Sequence, residues 1–417
     1  MGIEKNKHFM VMSFIQESGL RGFTHQTTDL EALDQLTRTQ SICGYIGYDL
    51  TAKSFHVGNL VTIMWMRLFQ QCGHTVIIIL GGGTSKIGDP SGRDETRQLM
   101  TDEIIAENRA SLEKTFGKYL NKDQTIILNN DEWLSGLGYI DFLRDIGPHF
   151  TVNRLLTFES IKSRLDREQA LSFIEFNYPL LQAYDFYVLA QKYNCILEFG
   201  GSDQWGNIIC GTELVRRKLG KQVYGMTCPL ITTASGKKMG KTAQGAVWLD
   251  ADLLTPFEFW QFWRNTEDLD VGRFLRLFTE LPIEEIQQLE QLKDADINQA
   301  KKILADEATK LCHGEAVLET IHKSANELFY GQGQDVESIP LVTITEHEMR
   351  LDDLLVASGL CASKSEAKKA IQNQGIRINR TPQTDPYAII QITDNEMLVS
   401  YGKKKNARVK IFDVIPA

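Results

Sequence analysis

Five consecutive apolar residues, Val76-Ile77-Ile78-Ile79-Leu80, run directly into Gly81-Gly82-Gly83. A strand with one face in water alternates polar and apolar side chains, so an unbroken run suits a parallel sheet covered on both faces. Parallel strands cannot be joined by a tight turn and need a crossover, usually a helix. The chain provides one: a second apolar stretch, Cys43–Tyr48, precedes an amphipathic pattern over Leu60–Gln71 that stops at Cys72-Gly73, with glycine as the terminator. Further strand candidates, Thr125–Leu128, Cys195–Phe199 and Pro229–Thr232, alternate with helical stretches. The expected architecture is α/β, a doubly wound parallel sheet. In such sheets ligands sit at the carboxyl ends of the strands, and Gly81–Gly83 and Gly200-Gly201 follow two of the candidates.

The 417 residues are enough for two or three domains. From about Thr255 to Leu328 the pattern is helical, with Pro256 near one start and Pro282-Ile283-Glu284-Glu285 opening another helix. The stretch 331–348 contains Gly, Gln, Ser and Pro without periodicity and reads as a linker. Beyond it, Ser363 followed by Glu366 forms the pattern of a capping box, and the helix it opens carries Lys364, Lys368 and Lys369 on an exposed face. Net charge is −9, which speaks against blanket nucleic-acid binding, yet 350–417 holds eleven Lys/Arg against seven Asp/Glu. Phosphate contacts are therefore expected in the C-terminal piece. Seven scattered cysteines with no Cys-x-x-Cys argue against a disulfide framework or structural zinc. The N-terminus lacks the pattern of a secretory signal, and no apolar run approaches membrane-spanning length, so a cytoplasmic protein without membrane contact is expected.

Two short motifs carry chemistry. Gly236-Lys237-Lys238-Met239-Gly240-Lys241-Thr242 can bring two ammonium groups onto a polyphosphate from a glycine-jointed loop. His56-Val57-Gly58-Asn59, at the opening of a helix, can add an imidazole donor and the helix's positive end. Either motif alone recurs by chance. Neither a Gly-x-x-x-x-Gly-Lys-Ser/Thr loop nor a Gly-x-Gly-x-x-Gly fingerprint is present, so a P-loop ATPase or a dehydrogenase is not indicated.

The pair resembles the two signatures of class I aminoacyl-tRNA synthetases. The residues around them, Tyr45-Ile46-Gly47-Tyr48-Asp49-Leu50-Thr51, Gly88-Asp89-Pro90-Ser91-Gly92-Arg93, Gln182-Ala183-Tyr184-Asp185-Phe186 and Gly200-Gly201-Ser202-Asp203-Gln204-Trp205-Gly206-Asn207, resemble the bacterial-type tyrosyl-tRNA synthetases from about Ile42 to the C-terminus. The resemblance implies a Rossmann-like catalytic domain over 1–235 with a dimer-forming insertion at about 133–177. A mobile lysine loop at 236–250, a helical tRNA-binding domain at 251–330 and a small α+β S4-like RNA-binding domain at 349–417 would follow.

It also implies a homodimer that activates L-tyrosine with ATP, Mg2+ accompanying the ATP and no metal held by the protein itself, and then charges tRNA(Tyr). Thr51, His56, Asn59, Arg93, Arg97, Lys238, Lys241 and Thr242 would act on the phosphates. Tyr45 and Asp185 would hold the substrate phenol, Asp89, Tyr178 and Gln182 its ammonium, and Gln204 would touch it further. Gly47, Asp49, Gly58, Gly201, Asp203 and Lys241 would serve ATP, and Lys364, Lys368, Lys369, Lys403, Lys404 and Lys405 the tRNA. The chain departs from the pattern at Ile46, Leu50, Asn59, Met239-Gly240 and Thr242, which bears on the ribose contact and the loop's stiffness. A tryptophan-activating relative and a non-catalytic RNA-binding protein are the competing readings.

Overall fold

The structure, a computed structural model, describes residues 12–89, 100–236, 239–242, 245–294, 296–330, 339–379, 381–392, 397–402 and 405–411, with backbone alone at 241–242 and 326–330. Two compact units comprise 1–249 with 267–300, and 250–266 with 301–417.

The first unit is built on six strands in the order β1-β6-β5-β2-β3-β4. β2 (Cys43–Asp49), β3 (Thr75–Gly81), β4 (Thr125–Asn129), β5 (Leu197–Gly201) and β6 (Tyr224–Cys228) run parallel, and β1 (Gln26–Thr27) pairs antiparallel with β6 at the edge. Its helices through residue 219 are α1 (Phe14–Arg21), α2 (Leu30–Thr39), α3 (Val57–Gln71), α4 (Asp102–Tyr119), α5 (Asp131–Leu134), α6 (Tyr139–Asp145), α7 (Val152–Leu155), α8 (Glu159–Asp166), α9 (Phe173–Lys192) and α10 (Trp205–Leu219).

The apolar run of β3 is buried throughout, as a doubly covered strand requires. Phe14, Trp65, Phe69 and Phe199 form a cluster beside Gly44 of β2, their rings meeting edge to face at 4.7–5.1 Å. A side chain at Gly44 would stand 2.7 Å from the Phe199 ring, so β2 needs glycine there. Tyr45, Ile77 and Ile79 join Phe186 and Leu189 of α9 in a separate apolar cluster. Gly73, at φ 89°, ends the α3 turn in the left-handed region that glycine adopts without a Cβ clash.

The last parallel strand is Tyr224–Cys228 rather than Pro229–Thr232. Pro229 has no N–H to donate to a ladder, whereas a Cβ at Gly225 would sit 2.2 Å from Ile208. Close packing, invisible to a hydropathy pattern, selects the glycine-bearing segment. α3 begins three residues earlier than its apolar periodicity suggests, because His56 caps it.

The helical stretch after 250 is divided between the units. Helices Val271–Phe278 and Ile283–Leu289 belong with the sheet. The Arg21 guanidinium donates to the carbonyls of Arg276, Thr279 and Leu281, and Arg67 pairs with Glu280. In the second unit, helix Pro256–Arg264 opens on a Thr255–Glu258 capping box with proline in its first turn.

The C-terminal module has five strands ordered β12-β11-β14-β15-β9 and a separate β10-β13 pair. They are β9 (Leu341–Ile344), β10 (Glu348–Arg350), β11 (Ile376–Ile378), β12 (Thr381–Pro382), β13 (Ile389–Gln391), β14 (Met397–Tyr401) and β15 (Lys405–Ile411). Leu354, Leu355 and Ile371 of helices Leu351–Ala357 and Lys364–Gln372 share its core with Val399 and Val409. β9 lies inside the stretch read as a linker and pairs parallel with β15. A four-residue strand at one edge is too short to announce itself by alternation. The expected capping box is half formed: Ser363 caps Glu366 N–H, but the Glu366 carboxylate accepts from Ala362 N–H instead. Among the described residues no helix is long and apolar enough to cross a membrane.

Candidate active site

At the carboxyl ends of β2 and β5, where the strand order reverses, the first unit opens a cavity of about 470 Å3. Tyr45, Gly47 and Asp49 come from β2, Tyr178, Gln182 and Asp185 from α9, and Gly201, Asp203 and Gln204 from the end of β5 and the turn into α10. Thr51, His56, Gly58, Asn59 and Asp89 complete the set of expected residues on its wall.

Asp185 is buried on the cavity wall. Trp133 Nε1 donates to its Oδ1 at 2.7 Å and Asn130 Nδ2 to its Oδ2 at 3.0 Å. Burial pushes its carboxyl up to about 7, against the pull of these two hydrogen bonds. The Tyr45 ring packs 5.1 Å from Phe186, one residue after Asp185. A carboxyl fixed by two donors and a buried tyrosine hydroxyl make a terminus suited to another hydroxyl.

Further along the cavity the polar residues bind one another. Tyr178 donates its hydroxyl to Asp49 Oδ1 at 3.1 Å, and Thr84 donates to the same oxygen. Gln204 Nε2 donates to Asp89 Oδ2 at 2.7 Å. Asn207 Nδ2 bridges the carbonyl oxygens of Gln204 and Gln182, and Gln182 Nε2 donates to Glu198. The amides are thus oriented before any ligand arrives, which lowers the ordering cost of binding.

The two short motifs meet beside the His56, Gly58 and Asn59 part of the cavity wall. His56 caps α3, its Nδ1 accepting from Gly58 N–H at 3.0 Å. An accepting Nδ1 carries no proton in the neutral ring, so the ring's donor is Nε2–H. Asn59 spends its carbonyl oxygen on His56 N–H, which keeps its amide nitrogen as the donor end. A side chain at Gly58 would strike the His56 ring at 2.7 Å, and one at Gly240, φ 82°, would strike Gly58 N at 2.8 Å. Glycine is required at both points of this contact. Val57 N–H donates to Val247 O and Val247 N–H to Gly240 O, which ties the two motifs through the backbone. Lys241 and Thr242 form β7 (Lys241–Thr242), paired with β8 (Gly245–Ala246).

Arg93, Arg97, Lys238, Lys403 and Lys404 lie outside the described residues, as do the side chains of Lys241 and Thr242. The expected basic face of the C-terminal module is less uniform than its sequence suggests. Lys364 pairs with Asp353 at 2.5 Å, and Lys368 is half-buried, 3.8 Å from Asp352 and over the Tyr387 ring. Lys405 donates to Leu360 O, while Lys369 is exposed. The pairing acids lie in Leu351-Asp352-Asp353-Leu354-Leu355, far enough in sequence that a single-helix view missed them.

Asn130, Trp133, Glu198 and Asn207 also belong to this network and were not singled out by sequence. Asn207 alone carried a signal, as the end of the Gly200–Asn207 motif. Asn130 and Trp133 follow β4 at its carboxyl end, where a ligand-facing residue could have been sought.

A family model described as tRNA synthetases class I (W and Y) matches residues 37–330, and one described as Tyrosine--tRNA ligase SYY-like C-terminal domain matches 332–409. The tyrosine–tRNA ligase of Novosphingobium aromaticivorans is 51% identical over 390 residues, covering 93% of this chain and 95% of the relative. That of Rickettsia felis is 48% identical over 412 residues, covering 96% and 100%. The crystal structure of a C-terminally truncated Aspergillus nidulans mitochondrial tyrosyl-tRNA synthetase superposes with a TM-score of 0.68 at 31% identity, covering 76% of this chain and 94% of that one.

Proposed function

This chain belongs to the class I tRNA synthetases, in their tyrosine–tRNA ligase branch, and from that premise we propose how its residues divide the work. ATP and L-tyrosine meet in the cavity of the first unit. The tyrosine carboxylate attacks the α-phosphorus of ATP, the new O–P bond forms as pyrophosphate leaves, and the 3′-end hydroxyl of tRNA(Tyr) then takes the tyrosyl group from the adenylate with AMP as the leaving group.

The observation that carries this reading is one cavity whose wall holds two unlike sets of residues. Asp185, gripped by Asn130 and Trp133, suits the substrate phenol beside Tyr45. Asp89, Tyr178 and Gln182, with Gln204 behind Asp89, suit the ammonium. In the other set His56 Nε2–H, Thr51 and the Asn59 amide are donors for phosphate oxygens, joined from the second motif by Lys238, Lys241 and Thr242, and by Arg93 and Arg97. Gly47, with open space where a side chain would stand, Gly58, Gly201, Asp49 and Asp203 flank the room for adenosine. No protein nucleophile is called for, since the protein's task is to orient reactants and neutralise charge that grows as pyrophosphate departs. Mg2+ enters as the companion of ATP.

Tyrosine-dependent exchange of labelled pyrophosphate into ATP, without tRNA, tests the reading. Exchange supported by tryptophan in place of tyrosine, or by neither, would overturn it.

The C-terminal module is the proposed tRNA-binding part, with exposed Lys369 and neighbouring Lys364, Lys368 and Lys403–Lys405 as its cations. A chain ending at residue 330 is expected to retain pyrophosphate exchange and lose most tRNA charging; undiminished charging would remove the module from the reaction. Binding of tRNA to the intact chain should weaken as salt rises, through counterion release.

A cytoplasmic homodimer through the 133–177 region completes the proposal. Ile140, Val152 and Phe173 are 70%, 59% and 66% exposed there, large apolar side chains that a second copy would cover. Sedimentation should give a dimer that Ile140→Asp with Phe173→Asp converts to monomer.

A further inference from the structure

Glu198 is a carboxylic acid buried at the centre of a parallel sheet. It stands on β5 in register with Tyr45 of β2, so the two side chains are neighbours across the ladder. It is 1% exposed, and a Cβ added to Gly211 of α10 would lie 2.8 Å from its Oε2. Only a residue without a side chain leaves room for it. Oε1 accepts from Gln182 Nε2 at 2.9 Å. Oε2 and the Tyr45 hydroxyl are both buried, each with no well-formed hydrogen bond among the described residues, and they lie close enough to act on one another. Two adjacent unpaired polar atoms in a dry interior are costly apart and satisfied together.

The groups facing Glu198 are Tyr45 from β2, Asp185 from α9, Cys210 from α10 and Cys195, two residues before its own strand; none is a cation. Burial, with Asp185 adding like charge, pushes the carboxyl up to about 8 against the contacts with Gln182 and Tyr45 that lower it, which favours its neutral form at physiological pH. With Oε1 already accepting, its single proton belongs on Oε2.

We propose that Glu198 is a positioning residue for substrate choice: its Oε2–H donates to the Tyr45 oxygen, which turns the Tyr45 proton toward the phenol of the bound amino acid. The phenol oxygen accepts from Tyr45, and the phenol proton goes to Asp185. The chain of donors runs in one direction, Glu198 to Tyr45 to substrate to Asp185. Ionised Glu198 would reverse its first link, drawing the Tyr45 proton back into the sheet. Gln182 is held by the same carboxyl, so one buried group sets the orientation of residues at both the phenol and the ammonium.

This inference rests on the proposed tyrosine activation and is tested separately from it. The measurement is the ratio of kcat/KM for tyrosine to that for phenylalanine, by pyrophosphate exchange from pH 6.5 to 9.5, for the wild-type chain, Glu198→Gln and Tyr45→Phe, with melting temperatures confirming the fold. The ratio cancels titration of the α-amino group, common to both substrates, and the variants share whatever Asp185 contributes near pH 7 and the tyrosine phenol near pH 10.

In the wild type the ratio should fall about two- to tenfold as pH rises through 8, the worth of one hydrogen bond. In Glu198→Gln, whose amide keeps a donor nitrogen and an acceptor oxygen at every pH, this fall through 8 should vanish; in Tyr45→Phe, which removes the acceptor, the ratio should be lower and show no fall through 8. A wild-type ratio constant with pH, or the same fall in Glu198→Gln, would overturn the role of Glu198. Absence of tyrosine-dependent exchange in the wild type at pH 7 would instead overturn the underlying function.

Discussion

Lys241→Ala is expected to slow tyrosyl-adenylate formation by about 10²- to 10³-fold, the scale for deleting one donor aimed at charge that develops in a transition state. The backbone supports the assignment. Lys241 follows Gly240, whose left-handed turn presses against Gly58 and the His56 ring, and it pairs with Ala246 in the short β7-β8 hairpin. The second motif is thereby held against the helix terminus proposed to receive the departing phosphates. The contacts proposed for the amino acid are Asp185, Tyr45 and the Gln182 and Gln204 amides that Asn207 bridges. An interaction made mainly as pyrophosphate leaves appears in kcat and not in ground-state binding. Single-turnover adenylate formation and equilibrium tyrosine binding separate the two. A loss confined to tyrosine affinity, with the chemical step unchanged, would remove Lys241 from the reaction.

The division between what sequence disclosed and what it hid has a physical basis. The parallel core was legible because Val76–Leu80 contains no polar residue, and a chain cannot expose such a strand to water on either face. The pocket was legible as sets of residues within short motifs, and the structure brings Tyr45, Asp49, His56, Gln182, Asp185 and Gln204 to one cavity. The network among them was not. Asn130 and Trp133 stand about fifty residues from the Asp185 they grip, just before and at the start of what looked like an insertion. Glu198 reads as an ordinary polar residue in a strand, and only the space left by Gly211 shows that it is enclosed. The strand Tyr224–Cys228 was missed for the same reason, because contact with Ile208 decides the matter at Gly225. Hydropathy reports which side chains avoid water, while a hydrogen-bond partner is decided by which elements the fold makes neighbours.

Asp185→Asn should be the most damaging conservative change at the amino-acid end, lowering kcat/KM for tyrosine by about 10²- to 10⁴-fold. Both Asp185 oxygens already accept, one from Trp133 and one from Asn130. An amide has one acceptor oxygen, so its NH2 must face one of those donors or the substrate phenol. An unsatisfied buried donor costs about 1–3 kcal/mol, and loss of a charge-assisted hydrogen bond about 1.5–3 kcal/mol. Phenylalanine, with no phenol to seat, should lose less, so the preference between the two narrows.

A second readout separates this from simple unfolding. Burial raises the Asp185 carboxyl to about 7 in the fold from 3.8 in the unfolded chain, so its protonated form favours the folded state. That contribution is fully present below pH 3.8 and is lost as pH rises through about 7. Asparagine cannot ionise. The wild-type chain should therefore lose more stability between pH 5 and pH 8 than Asp185→Asn, measured by urea titration at each pH. Equal slopes would mean that Asp185 is ionised in the fold throughout, and the phenol would then meet a permanent carboxylate instead of one that changes charge near neutrality.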